Sequence, residues 1–458
     1  MAKCMKQFRN HEMAEAFGKW LEEARAFLRD KPPKSEAAMD PGTRLVIHHE
    51  PGRSVEEEVV VPESPSHLLY DHREEIPNLT SYRRVVDVLR RSFASTELTG
   101  KFVGTAAGAS LAQSGHFPEL FIHNYWLRNR SLDYDETSFA EVYATLESFI
   151  YADELVRTLN APLHNFDSEV DTMTFGEGLS ARVITPELYE SLYLRGGTFK
   201  SENKTEHRGL RSWLLTVRTT EVKMVRGEHD PPRVDEAAFN QPYRLAQDLI
   251  KALRIYKKGA PTFRFVDEET PWAHVGGRAY PALTLPRSDP LILSADELDD
   301  FRNFFTTFRK VDLQRDRFLR VAIERFNSAL DRITLEDSVI DLSICLEALL
   351  LSGLGNEDDR GNVSYRFALH GARLLGQDAA DRQQVYHKLK GVYGVRSRIV
   401  HGAESYDLPR EESGKKITID RFCDSLEQLA RACFRKFFCQ FERTGDTCRI
   451  EWNTVVLS

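Results

Sequence analysis

The chain has 458 residues, 41% of them hydrophobic and 29% charged, and carries a formal net charge of -8 at neutral pH. That length exceeds one ordinary domain and predicts two or three, with apolar content enough for real cores. The acidic balance excludes a general nucleic-acid binder, and no apolar run approaches the ~20 residues that a membrane span needs.

Lys3, Lys6 and Arg9 have no apolar segment behind them, so no signal peptide is expected and the chain is expected in the cytoplasm. Residues 12–29 place Phe17, Trp20, Leu21, Ala24, Phe27 and Leu28 on one helical face, and Lys31, Pro32 and Pro33 stop that helix. Residues 43–49 and 57–61 flank Pro51 and Gly52 and read as a strand pair, in which His48 and His49 point to opposite faces and form no metal pair. Asp71, His72 and Glu75 are ligand types, but their polar run before Pro77 reads as a solvated loop. Residues 81–93 are expected to be helical. Residues 104–110 are rich in glycine and alanine but lack the Gly-Lys-Ser/Thr of a P-loop. Residues 120–127 read as a strand, 138–159 as a helix, and 171–175 and 181–184 as strands around Gly176 and Gly178. A helix is expected to open at Thr185, Pro186 and Glu187, since proline at the first helical position after a threonine cap is a start signal. Residues 213–217 read as a strand, 243–256 as a helix, and 263–266 and 280–285 as short strands. Residues 1–293 therefore read as a mixed α/β domain with a subdomain break near 160–170.

From Ser294 the pattern changes to helices. One begins at Leu313 and carries Leu319, Ala322, Ile323, Phe326 and Leu330; the next carries Val339, Leu342, Leu346, Leu349 and Leu350. Residues 365–375, 379–400 and 418–441 supply three more, with Gly371 and Ala372 allowing close approach. Residues 294–445 thus read as a helical bundle with short connections. Residues 446–458 read as a terminal strand that returns to the first domain or pairs across a dimer. The fold class is α+β, an N-terminal mixed α/β domain followed by an all-helical bundle. Cys345, Cys423, Cys433, Cys439 and Cys448 lack CxxC spacing and read as buried thiols rather than a zinc site.

Tyr393-Gly-Val-Arg396-Ser397-Arg398-Ile-Val-His401-Gly402 carries the most chemistry. An apolar stripe at helical spacing runs through Leu389, Val392, Ile399 and Val400 and passes through Arg396. A guanidinium keeps its charge, so burial is costly unless an acid, a phosphate or a wet cleft receives it. Glu347 shares a stripe with Ile340, Ile344 and Leu351 and is the natural receiver. His401 stands at the expected helix end, just before Gly402, where the negative end of the dipole favours an imidazolium. Between Arg360 and His401 eight cations face two acids, Asp378 and Asp381, a local basic surface suited to a polyanion. The residues alone leave two readings: a structural Arg396–Glu347 pair with a capping His401, or a site for an anion and a proton transfer.

Arginine, four residues and histidine, embedded as YGVRSRIVHG, resembles the RxxxxH signature of HEPN domains, specifically the Apea-like branch. Leu346-Glu347-Ala348-Leu349-Leu350 resembles the acid-bearing second helix of that family, and Tyr365 to Leu375 its third. The resemblance covers about residues 311–441. It implies a homodimeric, metal-independent endoribonuclease of antiphage or toxin type, with no cofactor. Arg396 and His401 would be catalytic and Glu347 and Ser397 supporting, although Ser397 replaces the asparagine or other polar residue often seen beside the family arginine. Arg398, Lys388, Lys390, Arg366 and Arg373 would hold the RNA, for which tRNA is one candidate. Residues 1–293 would sense a phage or cellular trigger, or hold the nuclease in check. A noncatalytic RNA- or nucleotide-binding or assembly module is the alternative.

Overall fold

The computed structural model describes residues 8–29, 31, 43–50, 53–60, 68–69, 71–94, 101–105, 110–113, 117–185, 188, 212–227, 236–263, 265–270, 272, 274–279, 290–353, 362–402, 408 and 417–457. In chain order the elements begin with α1 (His11–Arg29), β1 (Thr43–Glu50), β2 (Arg53–Val60), α2 (Thr80–Ala94), β3 (Lys101–Thr105), β4 (Ser110–Gln113), α3 (Phe117–Asn129) and α4 (Glu136–Tyr151). There follow β5 (Glu154–Leu163), β6 (Phe166–Ser168), β7 (Thr172–Thr174), β8 (Leu179–Val183), β9 (Trp213–Gly227), α5 (Glu236–Tyr256), β10 (Phe265–Glu269), β11 (His274–Ala279) and β12 (Leu291–Leu293). The rest is helical: α6 (Leu298–Lys310), α7 (Arg317–Leu330), α8 (Leu335–Leu350), α9 (Val363–Leu375), α10 (Ala379–Val400), α11 (Ile419–Thr444) and α12 (Trp452–Leu457). The class is α+β.

The chain divides into two compact units. The first comprises Met1–Leu163, Thr172–Ala246 and Phe263–Tyr280; the second comprises His164–Asp171, Gln247–Thr262 and Pro281–Ser458.

In the first unit, helices α1 to α4 bury one aromatic core. α1 turns Met13, Phe17, Trp20, Leu21, Ala24 and Leu28 inward, and Asn10 caps it by accepting the Met13 N–H at 3.0 Å. Residues 120–127, expected as a strand, belong to α3. Phe117, Phe121, Ile122 and Tyr125 recur there at helical spacing on the buried face, so core packing decides against the β propensity of an aromatic run. α4 also stops earlier than expected. Ala152 leaves the helix with extended φ and ψ, and the exposed–buried alternation from Glu154 to Arg157 continues as β5. The sheet runs β11-β10-β5-β9-β3-β4, with β8 on β9 and β7 on β8. All its ladders are antiparallel.

Arg157 is fully buried on the core face of this sheet. Its Nε donates to Glu268 Oε2 at 2.7 Å and a terminal nitrogen donates to Glu221 Oε1 at 3.1 Å. His72, expected in a solvated loop, is buried instead, its Nδ1 2.8 Å from Glu75 Oε1 and its ring edge-on to Phe27. Residues 280–285, one of the expected strands, lie outside the described residues. So does most of the helix expected at 185, although the Leu188 N–H does reach Thr185 Oγ1 at 3.2 Å, the cap bond expected there.

The second unit pairs β6 with β12 in parallel, and its named elements after β12 are all helices among the described residues. Phe301, Phe305 and Phe308 of α6, Phe326 of α7, Leu346 and Leu349 of α8, and Phe434, Phe437 and Phe438 of α11 are buried. Asp341 of α8 is almost wholly buried and accepts from Arg325 at 2.8 Å and from Arg332 at 2.7 Å. α9 crosses close to its neighbours at Gly371, where a Cβ would lie 2.1 Å from a Leu389 methyl and 3.1 Å from a Leu350 methyl.

The expected terminal strand is a helix, α12, and it docks on its own helical unit. Asp316 Oδ2 accepts the Cys448 N–H at 3.1 Å, Trp452 Nε1 donates to the Ser352 carbonyl at 2.8 Å, and the indole stacks on His370 at 4.3 Å and 7°. The β-branched Val455 and Val456 favoured a strand, but no neighbouring strand offers them a ladder among the described residues.

Candidate functional site

α8 and α10 position the motif. Thr334 caps α8 by accepting the Asp337 N–H at 3.2 Å, and Asp378 caps α10 by accepting the Asp381 N–H at 2.9 Å. α10 then runs 22 residues and buries Leu389, Val392 and Val395. Arg396, next to Val395, lies at the margin of that buried stripe with its side chain 30% exposed. The expected continuation of the stripe fails at its end, because Ile399 is half-buried and Val400 is exposed. Val395, rather than Val400, carries the core contact at this end of α10.

Across from α10, Glu347 shares a half-covered face of α8 with Ile340, Ile344 and Leu351. An Arg396 terminal nitrogen stands 3.9 Å from Glu347 Oε2, an ion pair at the edge of contact. Arg396 Nε is buried without a hydrogen-bond partner among the described residues. Burial pushes the Glu347 carboxyl above its ordinary range, while the guanidinium pulls it back. So the acid that could neutralise Arg396 engages it loosely, and its burial weighs against the charged form. The fork of Arg396 keeps donors for a second acceptor.

His401 is the C-cap residue of α10. Its N–H donates to the Ser397 carbonyl at 3.1 Å, and Gly402 follows at φ +68°, the left-handed conformation that ends many helices. Its side chain is exposed. Five residues at 100° each put Arg396 and His401 about 140° apart around α10, so within one chain they face different directions. Ser397, half-buried, serves the motif through its backbone carbonyl; among the described residues its hydroxyl joins neither Arg396 nor His401.

Of the five cations expected to hold RNA, Lys388, Lys390 and Arg398 are exposed on α10, and Arg366 and Arg373 are half-buried on α9. Lys390 and Arg398 lie within about 60° of His401 around the helix, with exposed Gly394 between them, whereas Lys388 is about 140° away. The helix therefore gathers Lys390, Arg398 and His401 on one face and leaves Lys388 off it. Residues 382–402 contain no aspartate or glutamate.

Comparisons with protein-family models, curated proteins and solved structures return no match.

Among the described residues no group of three or more His, Cys, Asp or Glu side chains is arranged to hold a metal ion. Four of the five described cysteines are buried and Cys439 is exposed; burial pushes the Cys433 thiol up to about 12, away from thiolate chemistry. No helix among the described residues is long and apolar enough to cross a membrane. Sequence reading missed two aromatic residues beside the basic surface, Tyr365 and Tyr386, which the acid-free run around Tyr386 could have flagged.

Proposed function

We propose that this chain is a metal-independent endoribonuclease of the HEPN type, acting as a homodimer with Arg396 and His401 as its catalytic residues. The observation that carries the reading is an under-neutralised guanidinium, 3.9 Å from a half-buried Glu347, on the same helix as an exposed terminal histidine. A structural ion pair would engage the fork more fully, and a mere capping residue would not need an imidazole among cations. The resemblance of YGVRSRIVHG to the RxxxxH signature supplies the reaction class and the dimer.

In the proposed step His401 takes the proton of a ribose 2'-hydroxyl, and the 2'-oxygen forms a bond to the adjacent phosphorus. The bond from phosphorus to the 5'-oxygen breaks, and that oxygen leaves with a proton from solvent or from the imidazolium of a second copy. Histidine in this role contributes typically ~10²- to 10⁴-fold. Arg396 meets the charge that builds on the phosphoryl oxygens, because its planar fork holds two of them at once. Products carry a 2',3'-cyclic phosphate and a 5'-hydroxyl. The resemblance implies a two-chain site in which two such helices pool their motifs in one cleft, an assembly that would bridge the angle of about 140° between the two side chains.

The proposed setting is cytoplasmic antiphage defence or toxin-type growth arrest, with residues 1–293 answering a phage or cellular trigger; it rests on the resemblance alone. A noncatalytic RNA- or nucleotide-binding module is favoured by that same angle if the chain acts as a monomer. Incubating total RNA with wild type and with His401→Ala, chelator present, separates the two readings. Cutting that disappears in the variant while binding persists supports the nuclease. Equal binding with no cutting by wild type, in extracts from phage-challenged as well as resting cells, supports the module.

A further inference from the structure

Beside the basic face of α10, Tyr365 of α9 is 53% exposed, an unusual openness for a ring on a packed helix pair. Tyr386 of α10 meets it edge-to-face, centroids 6.2 Å apart at 70°, and His387 stands against Tyr386 at 5.6 Å and 80°. The contact braces the Tyr365 ring while about half of the residue stays open to solvent. The surroundings are cationic. Lys390, about 40° around α10 from Tyr386, is exposed and makes no ion pair among the described residues, and Arg366 follows Tyr365 directly. The acids at the start of α10 are already engaged, Asp378 with the Asp381 N–H at 2.9 Å and Asp381 with the Gln377 N–H at 3.0 Å.

We infer that Tyr365, braced by Tyr386, is a stacking platform for an unpaired base of single-stranded RNA, with Lys390, one turn along α10 from Tyr386, holding an adjoining phosphate. The inference rests on the ribonuclease reading and adds to it a substrate class: RNA that is unpaired a few nucleotides away from the cut. Tyr386 and His401 are separated by 15 residues, or about 22 Å along the helix, so the platform grips the strand at a distance from the reacting phosphate. Stacking on an aromatic face tolerates any base, whereas the cations read only the backbone.

The test uses full-length His401→Ala protein, which holds RNA without cutting it, and a labelled unstructured 12-nucleotide RNA read by fluorescence anisotropy. A second oligomer of the same length carries abasic sites throughout. Adding Tyr365→Ala is expected to weaken binding of the ordinary RNA about 10-fold, Tyr365→Phe to restore it, and the abasic oligomer to bind parent and alanine variant alike. Unchanged affinity in Tyr365→Ala, or an equal loss on both oligomers, would overturn the platform. Failure of the nuclease reading looks different: wild type then cuts no RNA, whereas failure of the platform alone leaves RNA both bound and cut.

Discussion

Glu347 decides how much of Arg396 is left for a substrate. The two side chains are part-exposed and 3.9 Å apart, a pairing worth less than a hydrogen-bonded fork. Burial raises the carboxyl above its ordinary value of 4.5 more than Arg396 lowers it. The folded protein therefore holds this proton more tightly than the unfolded chain does. The stability it contributes is present below the ordinary value and is lost as pH rises through the raised one. Glu347→Gln is expected to flatten stability against pH on the alkaline side of 4.5, measured by urea unfolding at a series of pH values; identical slopes in wild type and variant would contradict this assignment. The pairing of Arg396 with Glu347 was legible in the sequence because a charged residue interrupts an apolar stripe on each helix. The burial of His72 and Arg157 was not, because the acids beside them are distant in sequence for Arg157 and hidden in a polar run for His72.

The helices of the second unit were legible wherever a strong apolar period met a recognisable cap. α10 begins at Ala379 and ends at Val400 as expected, with Asp378 and Gly402 at its ends. α3 and α12 were misread because short aromatic or β-branched runs suit a strand or a helix equally, and only packing partners decide. Close approach at Gly371 was anticipated, and its cost can be measured. Gly371→Ala puts a methyl into space held by buried Leu389 and is expected to destabilise by about 1–3 kcal/mol, more than the helix propensity of alanine returns. Chemical denaturation would show this as a lower midpoint, and a midpoint at or above wild type would mean that Leu389 relaxes freely.

For the whole molecule, the α+β class was legible but the topology of the sheet was not. β9 pairs with β5, β8 and β3, with Lys101 opposite Gly227, 126 residues on, and no local pattern encodes such pairings. The angular separation of Arg396 and His401 makes a further prediction about assembly. If one site draws arginine from one copy and histidine from the other, Arg396→Ala and His401→Ala proteins, each inactive, regain activity when mixed. Random exchange of subunits is expected to restore up to about a quarter of the wild-type rate, since half the dimers are mixed and each holds one complete site. No recovery after exchange would place both groups in the same chain's site.

The most direct measurement is the chemistry of the cut ends. RNA incubated with wild-type protein and chelator is expected to yield fragments with 2',3'-cyclic phosphate and 5'-hydroxyl termini, and an all-DNA strand of the same sequence to stay whole. Arg396→Ala and His401→Ala should each suppress those fragments by ~10²-fold or more. Fragments with 5'-phosphate ends, or cutting that survives both substitutions, would contradict the account.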